Sequence, residues 1–568
     1  MPSSPVYRPV QHSGSVRSMD KSVPLGSALI ALAALLTTPV LAQTPPDAGR
    51  ILQEQAPTLE QPKASPNFNF SAPSSSTPQS GGPQVQLQGI QLSGNSLFSE
   101  AELLAVLGAT TGKSYDLGGM RRLANQLTEH YRAAGYPFAR VFIPAQNLAD
   151  GVLQLQVVEG RYGLVGAQGE GRLAAQANAF LSDLRPGTVI ASDQLERATL
   201  ILDDQPGIKT TPIMRPGQEV GSGDLQVRVE REPMLSGEVG LDNHGNRYTG
   251  EHRGFFNLRA NSPFMLGDQL SLRSLYTEEG MWYGSLDYSL PLGGSGLRGK
   301  VGYAHTYYEL GKEFADLDAR GTAKVSSAGL SYPLLRSQRA NLVVSATYQH
   351  KQLRDEYHST DTRLDKSSDS LPVSLQFDLR DSLGGGGITF GALTWTPGEL
   401  HLDSGLRAAD RLSAKSAGRF DKLNLDVARL QLLPAGFSLY GRFSGQLAND
   451  NLDSSEDFGL GGPTGVRAYP SGEGYGDDGW LSQLELRYAM GAFSPFVFHD
   501  SGRVSVAHDT WQAGDNHRSL SGAGAGLRFS QGPWQAEATV AWRTAGGKPE
   551  SDSRDRVPTS WLSAQYQF

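Results

Sequence analysis

The sequence predicts a transmembrane β-barrel of about 16 antiparallel strands, preceded by two small α/β domains and a short N-terminal helix. Three observations carry this expectation. The chain opens on a secretory leader, holds no later apolar run long enough for a membrane helix, and alternates apolar and polar residues from Pro233 to Phe568. In lipid every backbone polar group must be satisfied within the protein, so a chain without membrane helices crosses only as a closed barrel.

Composition narrows the function. The 568 residues include no cysteine, 67 glycines, 20 tyrosines and 7 tryptophans, with a net charge of −8. Without cysteine there is no disulfide scaffold, thiolate metal site or thiol nucleophile. An acidic balance with no Lys/Arg-dense stripe argues against a nucleic-acid partner. Abundant glycine with many aromatics suits a turn-rich β protein whose rings gather at interfaces.

The leader covers residues 1–42. An apolar run at 25–36 follows Arg17 and Lys21 and ends in Pro39-Val40-Leu41-Ala42, the small-residue pattern of a cleavage site. Met19 offers a second start, and the run falls short of the ~20 residues a membrane helix needs. Residues 43–55 read as a short helix, with its pattern over 47–55 and Ile51 and Leu52 as its apolar positions. Residues 56–83 are rich in Pro, Ser, Gln and Asn, a composition that cannot bury a core and reads as a flexible linker.

Residues 84–160 are mixed α/β. A strand over 85–92 slips out of alternation between Leu87 and Ile90. Ser99 with Glu102 makes a capping box, opening a helix that stops at Gly108. A second helix from Asp116 to Gly135 places Leu117, Met120, Ala124, Leu127 and Tyr131 on one face. Strands follow at 138–143 and 152–158. Residues 161–232 repeat the order: Ser192 caps a helix through Leu202, Pro206-Gly207 breaks it, and Leu225, Val227 and Val229 alternate with polar neighbours. Asp203 and Asp204 read as a solvated turn.

From residue 233 to 568 the period is two. Phe256, Leu258 and Ala260 alternate with Asn257, Arg259 and Asn261, and the chain closes on Leu562, Ala564, Tyr566 and Phe568. One face suits lipid and the other a wet lumen, and Tyr566 and Phe568 read as a C-terminal assembly signal. At ~20 residues per strand and loop, the segment has room for about 16 strands.

Decoys are few. Residues 108–114, Gly-Ala-Thr-Thr-Gly-Lys-Ser, imitate a phosphate loop with one residue too few between the glycines, and a helix-ending turn explains them. No His-Glu-x-x-His pair, nucleophile–base pair or cofactor fingerprint stands out. The expectation is no enzyme, no catalytic residue, no cofactor and no metal.

Three motifs carry a family resemblance. Residues 455–470 read Ser-Glu-Asp-Phe-Gly-Leu-Gly-Gly-Pro-Thr-Gly-Val-Arg-Ala-Tyr-Pro, with Gly461, Gly462, Val466, Arg467, Ala468 and Tyr469 at their centre. Phe498, Asp500 and Gly502 follow as a Phe-x-Asp-x-Gly pattern. Asp242, Asn243, Gly245, Thr249 and Gly250 open the barrel segment. Together these resemble the lumen loop, inner-wall strand and first hairpin of two-partner secretion transporters, the haemolysin and filamentous-haemagglutinin secretion-activation family, which carry POTRA domains before the barrel. Where that family writes glycine in the loop, this chain has Ala468. The resemblance implies that the loop folds back into the lumen with Arg467 paired to Asp500, that 84–160 and 161–232 are POTRA domains, and that 43–55 is a plug helix.

The function it implies is outer-membrane export of one unfolded partner protein, without nucleotide hydrolysis. That partner would be a haemolysin, an adhesin or a contact-dependent toxin. Outer-membrane lipid and the barrel-assembly machinery would be further partners, with the POTRA domains in the periplasm. A barrel-assembly insertase of the same superfamily and a diffusion porin are the alternatives.

Overall fold

The computed structural model describes residues 45–56, 58–63, 66 and 81–568. The expected leader at 1–42 and most of the expected linker lie outside the described residues.

The first α/β unit shows why the strand at 85–92 loses its alternation. Val85–Gln86 pairs with Ser114–Tyr115, while Gly89–Ser93 joins a different sheet, parallel to Val152–Val158, with Arg140–Phe142 on the far edge. Leu87 is the buried crossing point, bonded to Lys113 O at 3.0 Å and Gly112 N at 2.7 Å. Residues 108–114 are therefore a turn tied to the sheet, with Gly108 and Gly112 at φ of 70° and 79°. The helix Glu100–Leu107 starts on the complete Ser99–Glu102 capping box. In the helix Leu117–Ala133, Met120, Ala124, Leu127 and Tyr131 are buried, but Leu117 is exposed and Leu123 enters the core instead. At about 100° per residue the two leucines flank the apolar stripe from opposite sides, and spacing alone does not choose between them.

The second unit repeats the sheet order, with Ser222–Arg231 between Arg161–Gln168 and Ile208–Pro216. Its helix Ser192–Asp203 has no side-chain cap; the Ser192 amide donates instead to Gly135 O of the first unit at 2.9 Å. Asp204 sits in an exposed turn, as expected, but Asp203 and Asp204 are also structural links. Asp203 accepts from the Thr210 amide at 2.9 Å and its hydroxyl at 2.7 Å. Asp204 takes both prongs of Arg336 on the barrel at 2.7 Å.

Glu159, 4 % exposed, pins the joint between the units. It accepts from the Ser96 amide at 2.6 Å and the Leu97 amide at 2.8 Å, from the Ser96 hydroxyl, and from Arg161 at 3.2 Å. Burial pushes its carboxyl up, but the Ser96 and Leu97 hydrogen bonds and the Arg161 charge outweigh burial and hold it below the ordinary value.

The barrel begins at Leu235–Asp242 and closes on Thr559–Gln567. Thr362–Ser370 and Val373–Asp381 share both neighbours, Ala340–Tyr357 and Gly387–Leu402, and are halves of one strand interrupted at Leu371-Pro372. Pro372 has no N–H to give the ladder, so pairing breaks there. Counted this way, the closed antiparallel barrel has 16 strands. Leu241, Trp282, Leu286, Trp395, Leu447 and Trp542 are among the outward apolar side chains left exposed, a belt that suits lipid and would be a liability in water.

Candidate functional site

The segment between Phe437–Ala448 and Asp478–Tyr488 turns back into the lumen instead of extending outward. Glycine makes the path possible. A Cβ on Gly461 would sit 2.3 Å from Pro470 O, one on Gly465 would sit 2.0 Å from Leu460 O, and Gly462 has φ of 94°. Val466, Ala468 and Tyr469 are buried. Ala468 needs no left-handed backbone, and its methyl fills the space that Gly522 leaves open opposite.

Arg467 is the keystone, at 3 % exposure. Its Nε and Nη2 donate to Asp500 at 2.8 and 2.7 Å, its own amide donates to Asp500 at 3.1 Å, and Nη1 donates to Glu485 at 2.6 Å. The guanidinium lies 3.6 Å from the centroid of Phe498, a cation–π contact. Gly502, next on the same inward face, leaves room for Leu460: a Cβ there would meet its Cδ2 at 2.6 Å. Sequence reasoning missed Glu485, although its parity pointed inward. Leu484 and Leu486 face out, and Glu485 also binds Arg487 at 2.6 Å and Arg528 at 3.0 Å.

The loop backbone is fastened as well. Trp561 Nε1 donates to Arg467 O at 2.8 Å, Thr559 Oγ1 to Ala468 O at 2.9 Å, and the Tyr469 hydroxyl to Ala545 O at 2.8 Å. At the loop's base, buried Glu456 takes Lys351 at 2.5 Å and Lys422 at 2.9 Å.

The first-hairpin residues meet this loop. Asp242 binds Arg253 through both oxygens at 2.7 and 3.1 Å. Asn243 donates to Ser560 O at 3.0 Å and accepts from the Leu562 amide at 2.7 Å, bridging the first barrel strand to the last. Gly245 passes so close to Gly250 that a Cβ would lie 2.0 Å from its carbonyl, and Gly250 has φ of 110°. Thr249 is buried and its carbonyl accepts from the Thr277 hydroxyl. Ser471 of the loop donates to His244 O at 2.8 Å. Phe568 exchanges amide and carbonyl with Gly237 at 2.9 and 3.0 Å, and the Tyr566 ring packs on Trp534 with centroids 4.9 Å apart.

Within the barrel, beside the loop, sits the helix Ala48–Gln53, shorter than the 43–55 expected. Asp47 caps it, accepting from the Arg50 amide at 3.0 Å. Ile51 is fully buried among Tyr248, Met281, Tyr308 and Leu353. The Ala48 amide donates to Asp355 at 2.9 Å. Asp47 pairs with Lys366 at 3.1 Å and accepts from Ser454 at 2.6 Å, while Lys366 also pairs with Asp453 of the loop at 2.6 Å. Gly49 packs tightly enough on Ser454 that a Cβ would lie 2.3 Å from its Oγ. Beside helix and loop a polar cavity of about 960 Å³ remains, lined by Arg253, Asn257, Arg259, Arg273 and Asp287 among others.

Comparison with known proteins agrees with this architecture. Residues 221–529 match the family "Haemolysin secretion/activation protein ShlB/FhaC/HecB", and residues 85–160 match the "POTRA domain, ShlB-type". The chain is 28% identical over 559 residues to the heme/hemopexin transporter protein HuxB of Haemophilus influenzae (strain 86-028NP), covering 94% of this chain and 97% of that one. It is 26% identical to the hemolysin transporter protein ShlB of Serratia marcescens, covering 81% of this chain and 82% of that one. Among solved structures it is similar in fold to CdiB from Escherichia coli, with a TM-score of 0.72, 20% identity, and coverage of 88% and 94%.

Proposed function

Because the chain belongs to the haemolysin secretion/activation family ShlB/FhaC/HecB, we propose that it is an outer-membrane translocator that moves one unfolded partner protein through its barrel without nucleotide hydrolysis. The observation that carries this reading is the lumen itself. A loop locked by Arg467 between Asp500 and Glu485 and a helix held at Asp47 fill it at rest, an arrangement suited to a gated polypeptide path. A diffusion porin needs neither element.

The two α/β units face the periplasm and receive the partner, which arrives unfolded after crossing the inner membrane. An extended segment of it adds to a sheet edge there, main-chain hydrogen bonds giving affinity. The helix Ala48–Gln53 then leaves the lumen and the partner threads past the fixed loop. The relatives' names point to partner classes: heme/hemopexin for one, a hemolysin for another. Tyr566 and Phe568 serve barrel assembly in the membrane, and no catalytic residue, cofactor or metal takes part.

The test is co-expression with the large exported protein encoded beside this chain, comparing partner in medium and periplasm with and without residues 84–160. Export that needs both barrel and module supports the reading. Partner reaching the medium regardless refutes it.

A further inference from the structure

Among the described residues, apolar patches interrupt the polar lumen wall in three places: one packs on the folded-back loop, one packs on Ile51 of the helix, and the third lies on the strands Gly387–Leu402, Gly418–Leu432 and Phe437–Ala448. There Ile388, Phe390 and Ala428 are buried at 5, 1 and 1 % exposure, with Leu430 and Tyr440 beside them. They face inward, since Leu393 and Trp395, at the opposite parity, are exposed on the outside. What covers this niche is Leu59, from the segment that follows the lumen helix. Leu59 and Pro62 are half-buried, whereas Thr58, Glu60 and Gln61 are exposed, and Thr58 and Glu60 line the open cavity. Four residues on, Arg380 of the adjacent strand donates to the Lys63 carbonyl at 2.8 Å. The wall thus takes one aliphatic side chain and one backbone carbonyl from a segment without helix or strand, and ignores the side chains between.

We infer that this niche is a subsite for the exported chain, taking an aliphatic side chain of an unfolded polypeptide in transit, and that Leu59 occupies it as a placeholder at rest. The inference rests on the translocator reading. The polar stretches of the wall offer a threading chain little to bind. An apolar niche with a carbonyl clamp, covered by neither the loop nor the helix, gives a foothold that any unfolded chain rich in leucine, isoleucine or valine satisfies repeatedly, without sequence specificity. The recognition is one buried side chain plus one hydrogen bond, so each hold is weak and releases readily, as transport requires.

The test places a photo-crosslinking benzoyl-phenylalanine at Tyr440, an aromatic rim position, in the full chain. The probe is a biotinylated heptapeptide with the sequence of residues 57–63, Pro-Thr-Leu-Glu-Gln-Pro-Lys, beside its analogue carrying Asp for Leu. In the otherwise native chain the adduct should form internally, on residues 58–63. With Leu59→Asp the niche is vacated, and adduct with the leucine peptide should rise about tenfold over the aspartate peptide, as burial of a leucine side chain allows. Phe390→Ser should abolish that preference and Phe390→Leu should keep it. Equal yields from the two peptides in the Leu59→Asp chain overturn the inference. In cells secreting the partner, a partner adduct at Tyr440 supports it. If the partner is secreted but forms no adduct there, the subsite falls and the transport reading stands. If nothing is secreted, both fall.

Discussion

Arg467→Ala removes the one cation shared by two buried carboxylates. Glu485 keeps Arg487 and Arg528, so its charge stays compensated. Asp500 is different: fully buried, it has no other ion-pair partner among the described residues, and only the backbone amide of residue 467 would remain. Stranding one partner of a buried pair costs about 3–5 kcal/mol, and that cost falls on the folded-back loop because the loop is what supplied the arginine. At 1.4 kcal/mol per decade this shifts the equilibrium between seated and released loop by about a hundredfold or more. The barrel ladder is untouched, so the variant should insert and keep its heat-modifiable mobility on gels, while partner export falls severely and the 449–477 loop becomes cleavable by protease added outside the cell. Arg467→Lys should rescue only in part, since an ammonium cannot reproduce the fork that holds Asp500 while reaching Glu485. Exchanging the charges, Arg467→Asp with Asp500→Arg, should fail, because Glu485 would then face the new carboxylate. Wild-type export with an equally protected loop in Arg467→Ala would refute the argument.

Asp47→Ala removes the helix cap, at about 1 kcal/mol, together with the Lys366 ion pair and the Ser454 bond; it should raise channel open probability in planar bilayers about tenfold or more, and unchanged conductance would count against the plug. Asn243→Ala deletes its two side-chain bonds to the last strand, at about 1 kcal/mol each, while leaving the backbone ladder of the seam in place; it should lower the temperature at which the folded barrel band disappears from semi-native gels, and an unaltered transition would show that the ladder alone holds the seam. Glu159 titrates lower in the folded protein than its ordinary value of 4.5, so its contribution to the two α/β units is present above that value and is lost as pH falls below it. Glu159→Gln should flatten the acid limb of their unfolding curve, and an unchanged pH dependence would refute the assignment.

The Phe498–Asp500–Gly502 face rests on the family resemblance, whereas parity made much of the rest of the barrel legible, since a two-residue period separates lipid face from lumen. The same rule, applied one strand earlier, would have found Glu485. Other features needed contacts that no local pattern contains. Asn243 looks like an ordinary turn residue until Ser560 is placed across the seam. Asp204 looks like an unpaired surface carboxylate until Arg336 arrives from the barrel, and Ser192 looks like a cap until its amide is taken by Gly135 of the neighbouring unit. Leu117 fails for a milder reason, lying at the edge of an apolar stripe whose limits the sheet decides. The tether at 58–63 reads as featureless linker, because one leucine among polar residues has meaning only against Ile388 and Phe390.

The electrostatics also say which lumen element moves. Lys366 serves two carboxylates, Asp47 on the helix and Asp453 on the loop. When the helix leaves, Asp47 goes to water with it and Lys366 keeps Asp453, so neither member of that ion pair is stranded. When the loop leaves, Asp500 is left buried without a cation, and Glu456 takes its charge away from Lys351 and Lys422. Departure of the helix is therefore the low-cost event and departure of the loop the costly one. Asp47→Ala should accordingly open the channel while preserving export, whereas Arg467→Ala should abolish export whatever it does to conductance. If both variants shift conductance and export together, helix and loop move as one body and this division of roles is wrong.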